Sequence, residues 1–148
     1  ATNLAFANVF RKRDRGYHLT FVEARNERAG QIGECSYVPF RVQHVPDLDS
    51  FSFRVTIDGY TIAYTGDTTY CDALVPLADG ADVLVSECSC WMETCGAIHM
   101  TPNDVLRLRA GISPSTKIIL THIGAGEAPQ AILDAGILIA DDLQTISL

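Results

Sequence analysis

The chain has little positive charge and no long apolar run. Its 11 Lys and Arg residues are outnumbered by 18 Asp and Glu residues, which gives a formal net charge of −7. The chain has no overall basic field that would attract a polyanion. Nucleic acid is therefore possible as a partner, but the charge of the chain disfavours it. The one basic cluster, Arg11-Lys12-Arg13-Asp14-Arg15, is more typical of a solvated surface. No apolar run approaches the ~18–20 residues of a membrane span, so no membrane partner is expected.

Cysteine is present in an odd number. Five cysteines in an acidic chain of this size indicate reduced thiols and a cytoplasmic location. Cys88, Cys90 and Cys95 lie close together in the sequence, shortly before His99. Their spacing is not Cys-x-x-Cys, so buried or partly exposed thiols are predicted, and a structural zinc site with His99 is the alternative.

Histidine is scarce, and two of the four histidines stand directly after strand-like runs. These two are His44 and His122, and Asp67 occupies the same kind of place after an apolar strand and a turn at Gly66. A lone Gly-Asp-Thr turn or strand-end histidine is more often structural than functional. Because strand ends at one edge of a sheet converge, their joint occurrence instead predicts a constellation of oxygen and nitrogen ligands.

The remaining pattern alternates strands and helices and predicts an α/β fold. Asp58-Gly59 predicts a hairpin turn within a strand pair at 51–65. Thr101 followed by Pro102 predicts a helix that ends at Gly111. Further strands are predicted at 17–23, 36–45, 81–88, 117–121, 137–140 and 145–148, further helices at 70–78 and 128–135, and a polar turn region at 24–33. No linker or repeat interrupts the chain, so residues 1–148 are predicted to form one domain.

Five segments resemble, in order and spacing, the motifs of the metallo-β-lactamase superfamily, and in particular its ribonuclease Z-like phosphodiesterase branch. The segments are Val42-Gln43-His44-Val45-Pro46-Asp47 running into Phe51-Ser52-Phe53-Arg54-Val55, Tyr64-Thr65-Gly66-Asp67-Thr68, Asp82-Val83-Leu84-Val85-Ser86-Glu87-Cys88, His99-Met100-Thr101-Pro102 and Ile119-Leu120-Thr121-His122-Ile123. The resemblance implies an αββα sandwich, an α/β fold of the α+β sandwich type, and it extends over residues 17–148, nearly the whole chain.

The resemblance also implies a site for two metal ions, usually zinc, with manganese as the alternative. In such a site His44 is a terminal ligand of one ion, Asp67 bridges both ions, and His122 is a terminal ligand of the second ion. His99 resembles the histidine that protonates the leaving group or binds the phosphoryl oxygens. Glu87 resembles the carboxylate that orients this imidazole. The alternative for Glu87 is a strand-end charge that faces solvent.

The implied function is that of a metal-dependent hydrolase that cleaves a phosphodiester or a related ester with a metal-bound hydroxide. Asp67, His99 and Glu87 would then be its catalytic residues. A small phosphodiester or ester suits the acidic charge of the chain better than a nucleic acid does. The competing interpretation is a catalytically inactive fragment or structural remnant of the fold.

One signature of the superfamily, His-x-His-x-Asp-His, is absent from the chain. That motif supplies most of the metal ligands near the start of the fold, and the whole αββα fold normally needs a longer chain. The sequence is therefore expected to be the C-terminal portion, only the second half of the fold, and a naturally short homologue is the alternative. An uncovered apolar sheet face would require either further N-terminal residues or a homodimer.

Overall fold

A mixed β-sheet forms the framework of the molecule. The computed structural model describes residues 22–91 and 97–147. Within these ranges, seven strands follow one another across the sheet in chain order. They are β1 (Gly30–Ile32), β2 (Cys35–Val42), β3 (Ser50–Ile57), β4 (Tyr60–Tyr64), β5 (Val83–Cys88), β6 (Lys117–Ile123) and β7 (Leu138–Ile139). Strands β1 to β4 are antiparallel, and β4 to β7 run parallel to one another.

The antiparallel half of the sheet is built from tight hairpins. Ile57 pairs with Tyr60 across the predicted turn, where Asp58 and Gly59 have φ angles of 51° and 83°. Positive φ at both central residues matches the right-handed twist of the flanking strands, which is why Asp-Gly favours this turn. The prediction of the hairpin is therefore confirmed.

The parallel half requires connections that cross the sheet, and short helices provide them. They are α1 (Leu74–Ala78), α2 (Pro102–Gly111) and α3 (Gln130–Asp134). Helix α2 begins as predicted, because the Thr101 side chain accepts a hydrogen bond from the Asp104 N–H while the Asp104 side chain accepts one from the Thr101 N–H. This reciprocal capping satisfies two backbone donors that the helix cannot pair internally.

The hydrophobic core lies between these helices and one face of the sheet. Ala63, Leu84 and Ile118 are directly paired across β4, β5 and β6, so their side chains share a face. All three are buried in one cluster with helical residues such as Leu77 and Leu108. The predicted buried strand at 81–88 is the centre of this half of the sheet. The α/β prediction is thereby confirmed.

Several predicted boundaries are wrong, and the strand predicted at 36–45 ends already at Val42. The helix expected at 70–78 begins only at Leu74, because an earlier start would place Pro76 in the helix interior, where it lacks a donor and clashes with the preceding turn. The predicted turn region at 24–33 contains β1, whose hairpin turn is made possible by Gly33 with a φ of 60°. Residues 145–147 are not a strand. The neighbouring strand β7 has only two residues and therefore offers few backbone hydrogen bonds to a further strand.

Some predictions concern residues outside the described ranges. They include most of the strand at 17–23, the basic cluster at 11–15 and Cys95. No helix in the described part of the chain is long and apolar enough to cross a membrane.

Among the cysteines in the described ranges, Cys90 departs from the predicted reduced state. Cys35, Cys71 and Cys88 are free, whereas Cys90 is disulfide-bonded. A disulfide sulfur is not a thiolate and cannot act as a thiolate ligand of zinc. The prediction of reduced thiols is therefore wrong for Cys90, and the alternative zinc site that would use it is not formed.

Candidate metal centre

Four candidate residues lie at or just after the ends of strands that all point to one edge of the sheet. Strands β4, β5 and β6 are parallel, so their C-terminal ends lie together. Strand β2 points the same way, because it is antiparallel to β3 and β3 is antiparallel to β4. His44 follows β2, Asp67 follows β4, Glu87 is near the end of β5 and His122 is near the end of β6. Loops at such an edge carry function in many α/β proteins.

Side chains from these loops converge on one small region. Potential ligand atoms of His44, Asp67 and His99 all lie within 4.8 Å of one another. His122 Nε2 lies 3.8 Å from Asp67 Oδ2. The ring centroid of His99 is 5.1 Å from that of His44 and 5.4 Å from that of His122. The three predicted ligands thus surround His99.

His44 is oriented by a backbone carbonyl. Its Nδ1 lies 2.8 Å from the carbonyl oxygen of Ile98. Because a carbonyl oxygen only accepts hydrogen bonds, Nδ1 must carry the proton, which leaves a lone pair on Nε2. This arrangement is the one that metal-binding histidines usually adopt. It also ties His44 to the residue directly before His99.

His99 is oriented by a buried carboxylate. Its Nδ1 lies 2.9 Å from Oε1 of Glu87, whose side chain is only 2% exposed. The carboxylate accepts the Nδ1 proton and leaves Nε2 of the imidazole directed away from the pair. The alternative of a solvent-facing strand-end charge at Glu87 is therefore wrong.

Glu87 also anchors the loop that carries Asp67. Its Oε1 accepts a hydrogen bond from the N–H of Thr68, at 2.7 Å. Its Oε2 accepts bonds from the N–H and the hydroxyl of Ser89, at 3.0 Å and 2.7 Å. A buried carboxylate is tolerated when donors surround it in this way. Glu87 therefore fixes the Asp67 loop and the His99 imidazole together.

Gly66 and His122, at this edge, have left-handed backbone conformations. Gly66, directly before Asp67, has a φ of 58° and lets the chain turn sharply at the end of β4. His122 has a φ of 44°, a conformation that costs a non-glycine residue about 1–3 kcal/mol and persists only where the surrounding structure holds it. Both side chains that project from this region are accessible, since 41% of Asp67 and 56% of His122 is exposed.

The donor set fits a divalent transition metal. Imidazole nitrogen and carboxylate oxygen are ligands that Zn²⁺ and Mn²⁺ accept. Ligand atoms bound to one zinc at ~2.0–2.2 Å lie about 3–4 Å apart in a tetrahedron, so the observed cluster needs only small side-chain shifts to close on an ion. The residues therefore suit a divalent ion by both chemistry and spacing.

A cavity of about 690 Å³ opens beside this cluster. His44 lines it together with Thr69 and Cys71. Its charged lining is mostly acidic, because Asp47 and Asp72 accompany a pair formed by Arg41 and Asp49. The space is in the range of small-molecule sites.

Sequence reasoning missed Ser89 and the supporting role of Thr68. Neither residue type is unusual after a strand, and each acts through a contact between segments distant in sequence. The sequence offers one indication of the role of Ser89, which is its position two residues after Glu87 at the same edge of the sheet.

A family model and individual proteins of known sequence match this chain. The family model described as "Beta-lactamase superfamily domain" matches residues 2–123. The chain is 32% identical over 75 residues to the probable metallo-hydrolase YhfI of Bacillus subtilis, a match that spans 49% of this chain and 30% of that protein. It is 37% identical over 67 residues to a putative ribonuclease Z of Mycobacterium tuberculosis, spanning 43% of this chain and 30% of that one.

Solved structures share the fold. The crystal structure of YhfI superposes with a TM-score of 0.64 at 23% identity, covering 78% of this chain and 50% of that chain. An isothiocyanate hydrolase from Delia radicum gut bacteria superposes with a TM-score of 0.70 at 17% identity, covering 96% of this chain and 63% of that chain. The chain thus spans about a third of the curated relatives that it matches, and half to two thirds of these structures.

Proposed function

Because this chain belongs to the metallo-β-lactamase superfamily, we propose that it forms part of a metal-dependent hydrolase of the ribonuclease Z-like class. The reaction is cleavage of a phosphodiester or a related ester. The observation that carries the proposal is the convergence of His44, Asp67 and His99, whose ligand atoms lie within 4.8 Å of one another, with His122 beside Asp67. The proposal extends to a cytoplasmic location, which the three free thiols favour and the disulfide at Cys90 does not.

The proposed ligands are His44, Asp67 and His122. Zinc is the favoured metal and manganese the alternative. Asp67 would be the residue shared by two ions, a role supported by its closeness to both histidines, since its ligand atom lies within 4.8 Å of that of His44 and its Oδ2 lies 3.8 Å from His122 Nε2. A bound ion pair supplies activation of water and neutralisation of charge on the leaving oxygen. Since the described donors suffice for one ion, a second ion needs ligands from residues outside the described ranges or from another chain.

His99 is proposed as the general acid. Its Nδ1–H is held by Glu87 at 2.9 Å, which leaves Nε2 as the nitrogen that would carry the proton for transfer. Nε2 can then donate this proton to the leaving oxygen. The carboxylate fixes the direction of transfer, because rotation of the ring would break its hydrogen bond. Glu87 acts through His99 in this scheme and needs no contact with substrate.

The proposed substrate is small. The cavity beside His44 has the volume of a small-molecule site. Its lining contains more carboxylates than cations, and the chain carries a net charge of −7. Such a surface repels a polyanion far more strongly than a compound with a single negative charge. A small phosphodiester or neutral ester is therefore favoured over RNA.

The proposal is tested by hydrolysis of a bis-aryl phosphodiester with added Zn²⁺ or Mn²⁺, and by the same assay in the presence of a chelator. The expected result is turnover that needs the metal. The matched control is Asp142→Ala, an exposed carboxylate in a C-terminal turn, which should leave the rate unchanged. A fully metal-loaded protein without activity on phosphodiesters or esters would instead support the inactive structural remnant.

A further inference from the structure

We propose that Ser89 is a positioning residue that joins the His99–Glu87 pair to the backbone of His122. The role rests on the proposed function, because the position of His122 matters for catalysis only if His122 binds the metal. Ser89 lies in the loop that follows β5, between the strand that carries Glu87 and the disulfide-bonded Cys90. It was not among the residues expected to form the site.

The Ser89 hydroxyl lies where three groups of the site meet. Its Oγ is 2.7 Å from Glu87 Oε2, 3.2 Å from His99 Nδ1 and 3.0 Å from the carbonyl oxygen of His122. A serine hydroxyl has one proton to donate and two lone pairs that accept. The Glu87 carboxylate and the His122 carbonyl only accept hydrogen bonds, so they share the single proton of the Ser89 hydroxyl. The His99 Nδ1–H is a donor, and it is shared between Ser89 Oγ and the Glu87 carboxylate. One hydroxyl thus contacts both the proposed acid and the proposed ligand.

The contact with His122 acts at an uncommon backbone conformation. His122 has a φ of 44°, which non-glycine residues adopt rarely unless the surroundings hold them there. Gly124, two residues further on, is also hydrogen-bonded to the end of β5, since its N–H donates to the Cys88 carbonyl at 3.2 Å. A Cβ on Gly124 would come within 2.9 Å of the Trp91 side chain. Beside these contacts, the hydroxyl of Ser89 donates a hydrogen bond to the backbone carbonyl of His122 itself.

Loss of the hydroxyl should therefore act on one histidine and spare the other. His99 keeps its hydrogen bond to Glu87 and should retain the tautomer protonated on Nδ1. His122 loses the donor to its carbonyl, so its backbone and side chain should move. A residue that only stabilised the fold would not separate the two histidines in this way.

The first test uses the metal-free protein and the NMR signals of its histidines. Ser89→Ala and Ser89→Gly should both shift the carbonyl and Cα resonances of His122 while the His99 nitrogens keep the Nδ1-protonated pattern. Ser89→Thr keeps a hydroxyl and should restore the His122 signals. The matched control is Ser113→Ala, which removes a hydroxyl that contacts Ser115 Oγ, before the opposite end of β6. Unchanged His122 signals in both Ser89→Ala and Ser89→Gly would overturn the proposal.

The second test measures zinc affinity by calorimetry at temperatures where every variant is folded. Ser89→Ala should weaken zinc binding by about 10–100-fold, the usual effect of removing a group that orients a ligand, and Ser89→Thr should recover most of the loss. Equal zinc affinities for Ser89→Ala and the unsubstituted protein would overturn the role at the metal centre. A protein that shows the NMR pattern but hydrolyses no ester when loaded would refute the proposed function and leave the Ser89 contact established.

Discussion

The Nδ1 atom of His99 lies 2.9 Å from Oε1 of Glu87, and this carboxylate is almost completely buried. The same carboxylate accepts hydrogen bonds from the N–H of Thr68 and from Ser89. Every partner of Glu87 in this group is a donor. The arrangement therefore suits a side chain with two acceptor oxygens.

Glu87→Gln should lower the stability of the protein. The amide places an NH₂ group opposite N–H or O–H donors, so at least one buried donor loses its acceptor, at a cost of about 1–3 kcal/mol in the free energy of unfolding. Urea unfolding measures this loss. Glu34→Gln, an exposed change in the β1–β2 turn, is the control and should be neutral. Equal unfolding free energies for the two variants would show that the buried hydrogen bonds contribute little.

Gly124→Ala should destabilise the segment after β6. An added Cβ would lie 2.9 Å from the Cβ and Cγ atoms of Trp91 and 3.0 Å from the backbone oxygen of Ser89. Overpacking of this kind costs about 1–3 kcal/mol. Thermal unfolding measures the loss. Part of it should disappear when the alanine is introduced together with Trp91→Gly, which removes the Cβ and Cγ atoms and leaves the Ser89 oxygen in place, and a loss of equal size in that background would place the cause elsewhere.

The location of the site could be predicted from sequence because it depends on local rules. Positive φ at Gly66 turns the chain after β4 and presents Asp67, and the period of the apolar runs predicts His44 after β2 and His122 after β6, whereas His122 is the second-last residue of β6. All of these strands point to one edge, so proximity follows from topology. Turn chemistry likewise predicts the hairpin at Asp58-Gly59.

The support of the site could not be predicted in the same way. The register of β5 and β6 shifts between Glu87 and Cys88, and only the pairing of two distant segments decides where the Ser89 hydroxyl then lies. The helix before β5 was predicted too long, since its apolar pattern extends back beyond the start that Pro76 allows. The disulfide at Cys90 has no signal in the spacing of cysteines alone.

The stability of the protein should fall above pH 9 through Cys88. Burial, followed by the negative charges of Glu87 and Asp104, raises the pKa of the Cys88 thiol from 9.0 to about 12. A raised folded-state pKa stabilises the protein below the unfolded pKa, and this contribution is lost as the pH rises from 9 to about 12. The measurement is the difference in unfolding free energy between the unsubstituted protein and Cys88→Ala across this window. Cys35→Ala is the control, and a difference that stays constant with pH would contradict the assignment.

Asp67→Ala should abolish zinc binding and turnover together. The Asp67 carboxylate lies within 4.8 Å of a ligand atom of His44 and 3.8 Å from His122 Nε2, so its loss removes negative charge that would hold cations there. Metal content after dialysis and hydrolysis of a phosphodiester are the two measurements. Asp142→Ala serves again as control. Normal metal content in Asp67→Ala would exclude Asp67 as a ligand.

His99→Ala separates the two roles that the geometry allows for His99. Its ligand atom lies within 4.8 Å of those of His44 and Asp67, yet its Nδ1 is held by Glu87. As a general acid, its loss should leave the metal content near normal and lower kcat by roughly 10²–10⁴-fold. The reduction should shrink for a nitrophenyl ester, because nitrophenolate leaves without a proton. If His99→Ala instead strips the metal, His99 is a ligand. If the rate on an alkyl phosphodiester is unchanged, another residue donates the proton.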